Sequence, residues 1–357
     1  AGGGYHPRNV ARRDGIVGAN RRVYRWDLDK TYLRTEFDTV RDLLRTAFES
    51  AAQKRTVPGA AALRREIHAT EPLGIYIVSG SPEQLRRVLE AKLRLDGITW
   101  DGFTLKPQLS NILRGKFRFV KDQVGYKLGA LFDSRAELPE AIDEFMFGDE
   151  EEADAFIYSL YADLSGGRVS ADTLAEVLDR AGVYEDDLPR IVRLAGKVPR
   201  FDTCRRIFIH LDRVSSPDGF EAFGPRVCPF YNYLQPAFVL RGEGAIGPVG
   251  VLRVAAELVI HHGFTADALV ASFSDVARRG YVSPAAPARL VEAFDAVEET
   301  HFATTYATLA AFVEQLAEAA RELPEPAPLA EVELDYVSLF SRDKARARLA
   351  KERLMRH

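Results

Sequence analysis

Cysteine is nearly absent from this chain of 357 residues, which carries only Cys204 and Cys228. Two thiols give one bridge or none, so no disulfide framework supports the fold, and reduced thiols in a cytoplasmic protein are the expected state. Long apolar runs are missing too. None reaches the roughly 18 residues a membrane helix needs, and the best candidate, residues 249–260, is interrupted by Arg253 and Glu257. The N-terminal stretch holds Arg8, Arg12 and Arg13 but no apolar segment, which argues against a secretory signal. The start at Ala1 rather than methionine suggests a trimmed or processed end. There is no G-x-S-x-G elbow for a serine hydrolase, and His261, His262 and His301 lack a third ligand at zinc spacing. Residues 242–247 spell G-x-G-x-x-G without a βαβ context, so a flexible loop is expected there. A formal net charge of -4 favours no polyanion as a global partner.

What the chain does have is enough apolar sequence for a core, 46% of residues, and enough charge to cover it, 28%. Its length suggests two domains. From residue 23 to 158 short apolar strands alternate with helical patterns, which predicts a doubly wound α/β domain with a parallel sheet. Strands are expected at 23–27, 74–78, around 99–106 and at 145–147, with helices at 36–53, from 58 onward, after Pro82, and at 123–136. Beyond Gly167 the pattern is mostly helical, with helices expected at 171–182, 185–196, 248–262, 265–279 and 285–322. The run 206–211 reads as one more strand of the first sheet, which would make the helices before it an insertion. Residues 213–247 read as a long loop system whose aromatics, Phe220, Phe223, Phe230, Tyr231 and Tyr233, either pack between domains or line a pocket. The expected division is a flexible segment 1–20, a catalytic domain 21–166, a helical accessory domain 167–323, and a linker with a basic terminal helix at 324–357.

The most informative stretch is Asp27-Leu28-Asp29-Lys30-Thr31, which closes the strand Val23-Tyr24-Arg25-Trp26. Where a parallel strand ends, the backbone turns and both acids can converge on the crevice that holds ligands. One carboxylate can then attack phosphorus and bind a divalent cation, while its neighbour protonates the leaving oxygen and later activates water. Ser79 and the amide of Gly80 follow at the next strand end, able to donate to phosphoryl oxygens, although Ser-Gly-Ser-Pro is also a plain turn. Lys127 would neutralise phosphoryl charge, with Lys121 competing for that part. Asp149 and Asp154 span the next strand-to-helix turn, where hard oxygen ligands suit Mg²⁺. They lie at the end of a segment, 133–154, with ten acids against the single Arg135, most of which read as a solvated helix face.

As an ordered set these motifs resemble the haloacid dehalogenase superfamily of aspartate-nucleophile phosphatases: D-L-D-K-T at 27–31, I-V-S at 77–79, Lys127, and G-D-E-E-E-A-D at 148–154. The resemblance covers residue 23 to about 160. It implies that Asp27 forms a phosphoaspartate and that Asp29 is acid and base. Thr31 would support the loop, Ser79 and Gly80 would bind phosphate, and Lys127 would stabilise charge. Mg²⁺ would be held by Asp27, Asp29, Asp149 and Asp154. Lys30 stands where the family often has glycine. The runs 27–35 and 147–158 look most like the actin-patch-associated phosphatidate phosphatase family, which implies a lipid phosphate as substrate.

Neither gap between these motifs leaves room for a large cap domain, so an open site and a large substrate are expected, with the helical half as a candidate lid. The tail from Arg342 to Arg356, with seven basic residues and two acids, offers peripheral contact with anionic lipid or with nucleic acid, or is simply solvated. The alternatives to a phosphomonoesterase are a binding or scaffolding protein that keeps the fold without turnover, and a nucleic-acid end phosphatase. Retention of both Asp27 and Asp29 speaks against the scaffold.

Overall fold

The computed structural model describes residues 20–29, 31–32, 56–106, 117–151, 153–181, 183, 188–211, 215–325 and 332–339, without the side chains at 117–122, 181 and 299. Its strands are β1 (Arg22–Trp26), β2 (Gly74–Pro82), β3 (Gly102–Lys106), β4 (Asp143–Asp149), β5 (Cys204–His210) and β6 (Val227–Phe230). They form one sheet in the order β3-β2-β1-β4-β5-β6. The pairings β1–β2, β1–β4, β2–β3 and β4–β5 are all parallel. The chain therefore winds outward from β1 in both directions. The connections leaving β1 and β4 diverge at the carboxyl ends of those strands, which opens the crevice where such sheets hold ligands.

Every residue of 23–26, 74–82 and 144–149 is buried, so the central strands are covered on both faces, as their near-continuous apolar runs require. One face carries a row of stacked rings in register across three strands. Trp26 lies 3.8 Å from Phe147, and Phe147 lies 4.7 Å from Phe208, ring centre to ring centre. Such pairs add about 0.5–1.5 kcal/mol each beyond area burial.

The opposite face carries an ionic network. Arg25 Nε donates to Glu144 Oε1 at 2.7 Å, Thr203 Oγ1 to Glu144 Oε2 at 2.6 Å, and Tyr161 Oη to both oxygens at 3.0 Å. Arg135 Nε lies 3.8 Å from Glu144 Oε2. Burial alone would raise the Glu144 pKa, but Arg25, Thr203 and Arg135 together hold it below the usual carboxylate range. Glu144 and Arg135 are thus not part of a solvated face, as the acid-rich composition of 133–154 suggested. Both are fully buried.

The helices are α1 (Ala60–Ala69), α2 (Arg86–Leu95), α3 (Phe117–Ala136), α4 (Asp154–Ser165), α5 (Ala171–Ala181), α6 (Leu188–Ala195), α7 (Leu234–Gly242), α8 (Pro248–His262), α9 (Ala266–Arg278), α10 (Ala288–Asp295) and α11 (Tyr306–Glu322). The chain forms two compact units. The sheet unit comprises Ala1–Arg55, Pro72–Pro229 and Val332–His357, and the helical unit Thr56–Glu71 and Phe230–Glu331. The expected boundary at 166 is therefore misplaced, because β5 returns to the sheet and keeps α5 and α6 with it. The helical unit is not purely C-terminal either. Glu257 of α8 accepts a hydrogen bond from the backbone N–H of Ala62 in α1 at 2.9 Å.

Several boundaries differ from the sequence pattern for local reasons. The strand expected at 74–78 continues through Ser79-Gly80-Ser81 to Pro82, with a register irregularity before Pro82. Residues 213–247 are not a loop system: the described part contains a 3₁₀ turn at Pro217–Phe223, β6 and α7. The apolar run 285–322 is two helices, broken by 3₁₀ turns at Glu299–His301 and Ala303–Thr305, where threonines lower helix propensity. The helix expected at 36–53 and the basic tail lie outside the described residues.

Glu144→Ala is expected to cost about 3–5 kcal/mol of stability by leaving two arginines buried without their carboxylate, read from the urea midpoint at constant m-value. Since the folded pKa of Glu144 is depressed, its contribution is complete above the unfolded value of about 4.3 and is lost as pH falls below it. Wild type and variant should therefore converge in stability on acidification, and a gap that stays constant down to about pH 3 would contradict this.

Candidate active site

Asp27 is the first residue beyond β1, and its N–H still bonds to Phe147 O at 2.8 Å, extending the ladder by one step. The chain then curls. Thr31 N donates to Asp29 O at 2.7 Å and Tyr32 N to Leu28 O at 3.1 Å. That curl turns Thr31 back on the first acid, with Thr31 Oγ1 3.3 Å from Asp27 Oδ2. Asp27 and Thr31 are fully buried and Asp29 nearly so. Lys30 lies outside the described residues.

Asp149 is the last residue of β4. Its Oδ1 accepts the N–H of Glu151 at 2.5 Å, and Ala153 takes a left-handed conformation (φ 62°) that tightens the turn before α4 starts at Asp154. Asp154 Oδ2 accepts the Asp149 N–H at 3.2 Å, so the two acids face each other across the turn. This needs glycine at 148, because a Cβ there would collide with Cβ and Oδ2 of Asp154.

Lys127 comes from α3 and is fully buried. Its Nζ lies 3.0 Å from Asp27 Oδ1 and 2.5 Å from Asp154 Oδ1. One carboxylate oxygen each from Asp27, Asp149 and Asp154 lies within 4.8 Å of the others. Three carboxylates against one ammonium leave two formal negative charges in a buried site, and a divalent cation would balance them. An all-oxygen donor set suits a hard cation. Tyr158 stands beside the cluster with its phenol kept neutral: burial raises its pKa well above the ordinary value, and Asp154, Asp27 and Asp149 push the same way against Lys127.

Asp29 stands outside the grouping of three that could hold a metal among the described residues. Its Oδ2 instead accepts from Ser79 Oγ at 2.9 Å and Ser81 Oγ at 2.6 Å, while Ser81 N donates to Ser79 Oγ at 3.0 Å. The structure thus brings Asp27, Thr31, Lys127, Asp149 and Asp154 to one point, with Asp29, Ser79 and Gly80 at its side. Of the two competing lysines, Lys127 occupies the cluster, and the side chain of Lys121 lies outside the described residues. Ser81 escaped the sequence reading. Its signal was the spacing of two from Ser79, which sends both hydroxyls to one side of an extended chain.

The lesser signals resolve into packing. Cys204 and Cys228 are both buried and form no disulfide, and burial pushes the Cys204 thiol up to about 12, away from a reactive thiolate. Phe220, Phe223, Phe230 and Tyr233 are buried. The glycines at 242 and 247 flank the junction of α7 with α8.

Comparison with known proteins adds no relative: no family model, no curated protein and no solved structure matches this chain.

Gly148→Ala should displace the Asp154 carboxylate and weaken divalent-cation affinity about 10–100-fold, the size seen when support for a metal ligand is lost. Calorimetric titration with Mg²⁺ or Mn²⁺ measures this, and unchanged affinity would exclude Asp154 from the cation site.

Proposed function

We propose that this protein is a Mg²⁺-dependent phosphomonoester hydrolase of the haloacid dehalogenase type that works through a phosphoaspartate on Asp27. The observation that supports it most is the convergence of Asp27, Asp149, Asp154 and Lys127 at the carboxyl ends of β1 and β4. Those residues are far apart in sequence and were singled out as one set by the motif order alone. Asp27, Asp149 and Asp154 would hold the cation, which supplies charge neutralisation to the phosphoryl group.

The chain's own groups divide the rest of the work. The Asp27 carboxylate attacks phosphorus, the bond from phosphorus to the ester oxygen breaks, and Asp29 gives its proton to the departing alcohol. Asp29 then takes a proton from water, whose oxygen attacks the same phosphorus. The acyl phosphate bond breaks, releasing phosphate and restoring Asp27. Lys127 fixes the Asp27 carboxylate and offsets the charge on the phosphoryl oxygens. The two serine hydroxyls hold Asp29 in place, and since phosphoryl transfer depends mainly on positioning and charge, their fixed geometry is part of the catalytic apparatus.

For the substrate we favour a lipid phosphate or another large phosphomonoester. The likeness of 27–35 and 147–158 to the phosphatidate phosphatases supports this. No helix among the described residues is long and apolar enough to cross a membrane, so encounter with a lipid would be peripheral.

Asp27→Asn should abolish hydrolysis of an aryl phosphate in the presence of Mg²⁺, and Asp29→Asn should slow it about 10²–10⁴-fold. Turnover by Asp27→Asn equal to wild type would discard the mechanism.

A further inference from the structure

Helix α3 presents more to the site than Lys127. Gln123 lies one turn earlier on the same face, four residues before Lys127, and is fully buried. Its side-chain amide packs against the Ser79-Gly80-Ser81 segment so closely that a Cβ on Gly80 would overlap its Nε2. Among the described residues, neither Nε2 nor Oε1 of this amide has a hydrogen-bond partner. A buried amide carries two N–H donors and a carbonyl acceptor, and native structures almost always satisfy them. Three residues on, still on the same side of the helix, the hydroxyl of Tyr126 is also enclosed and without a partner. Burial raises the pKa of that phenol, so it remains a neutral donor.

These groups are idle in the mechanism above, yet Gln123 stands against the strand end that carries Ser79. A phosphoryl dianion offers only acceptors, and Gln123 and Tyr126 offer unused donors. We propose that Gln123, backed by Tyr126, is a further phosphoryl-binding residue, its amide N–H groups donating to non-bridging oxygens of the group held over Gly80. The inference rests on the phosphatase reading and deepens it, since the motif set contains no side chain in this position. It also gives Gly80 a reason: any larger residue would displace the amide from the phosphate.

The neutral amide matters because a carboxylate of the same size would repel the substrate, whereas an apolar isostere would only fail to donate. Gln123→Met and Gln123→Glu separate these effects, and Tyr126→Phe removes a single hydroxyl. Inorganic phosphate is the probe, titrated calorimetrically into the full-length protein with Mg²⁺ present, alongside KM for an aryl phosphate. Phosphate affinity should fall about tenfold in Gln123→Met and further in Gln123→Glu, with KM rising in parallel and the melting temperature of Gln123→Met kept near wild type. Tyr126→Phe should weaken phosphate binding by a smaller factor. Unchanged phosphate affinity in both Gln123→Met and Tyr126→Phe would overturn the proposal, as would a loss of affinity seen only in variants whose melting temperature collapses. Failure of the underlying phosphatase reading looks different: wild type would then hydrolyse no phosphomonoester, or Asp27→Asn would hydrolyse it equally well.

Discussion

A buried cluster of charges is costly unless each finds an opposite, and three carboxylates, Asp27, Asp149 and Asp154, with the one ammonium of Lys127 do not balance by themselves. The residual negative charge explains why the cluster reads as a cation site rather than as a structural salt bridge. Each of its carboxylates is also tied by a hydrogen bond. Thr31 fixes one oxygen of Asp27, the N–H of Glu151 fixes one oxygen of Asp149, and the N–H of Asp149 fixes one oxygen of Asp154. Ligands held this way are ordered before anything binds, which lowers the entropy lost on binding.

That arrangement depends in turn on the sheet beneath it. Asp27 and Asp149 are neighbours because β1 and β4 pair in parallel and end at the same level. Two residues before Asp27 and five before Asp149, the same two strands are tied by Arg25 and Glu144, whose ion pair is as thoroughly buried as the site itself. The two networks differ in kind. In the lower one both Glu144 oxygens accept from neighbours. The upper one keeps a surplus of carboxylate charge and, at Gln123 and Tyr126, donors without acceptors among the described residues. Unused donors beside a surplus of carboxylate charge are what a phosphoryl group with its cation would satisfy.

Most of the sheet was legible in the sequence, since β1, β2 and β4 are apolar runs that end in acids, serine or glycine, and parallel buried strands have that signature. The meeting of Asp27 with Asp149 was legible because both fall at strand ends, where motif order and topology coincide. Other features were hidden by physics that acts at long range. Nothing local distinguishes Glu144 from the exposed acids around it, because its partners Arg25 and Thr203 come from β1 and from the residue just before β5. The boundary at 166 followed the change to a helical pattern, while the strand read at 206–211 already pointed to α5 and α6 as an insertion within the sheet unit. The place of α1 in the helical unit depends on contacts with α8, almost two hundred residues away. Gln123 was invisible because a lone glutamine on a helix gains meaning only from what it faces.

The most direct measurement is a crystal structure of the protein grown with Mg²⁺ and beryllium fluoride, a mimic of an aspartyl phosphate. The account predicts the fluoride adduct on the Asp27 carboxylate, with Mg²⁺ held among Asp27, Asp149 and Asp154 and Lys127 Nζ against the adduct. An adduct on another residue, or a cation bound without Asp149 and Asp154, would contradict it.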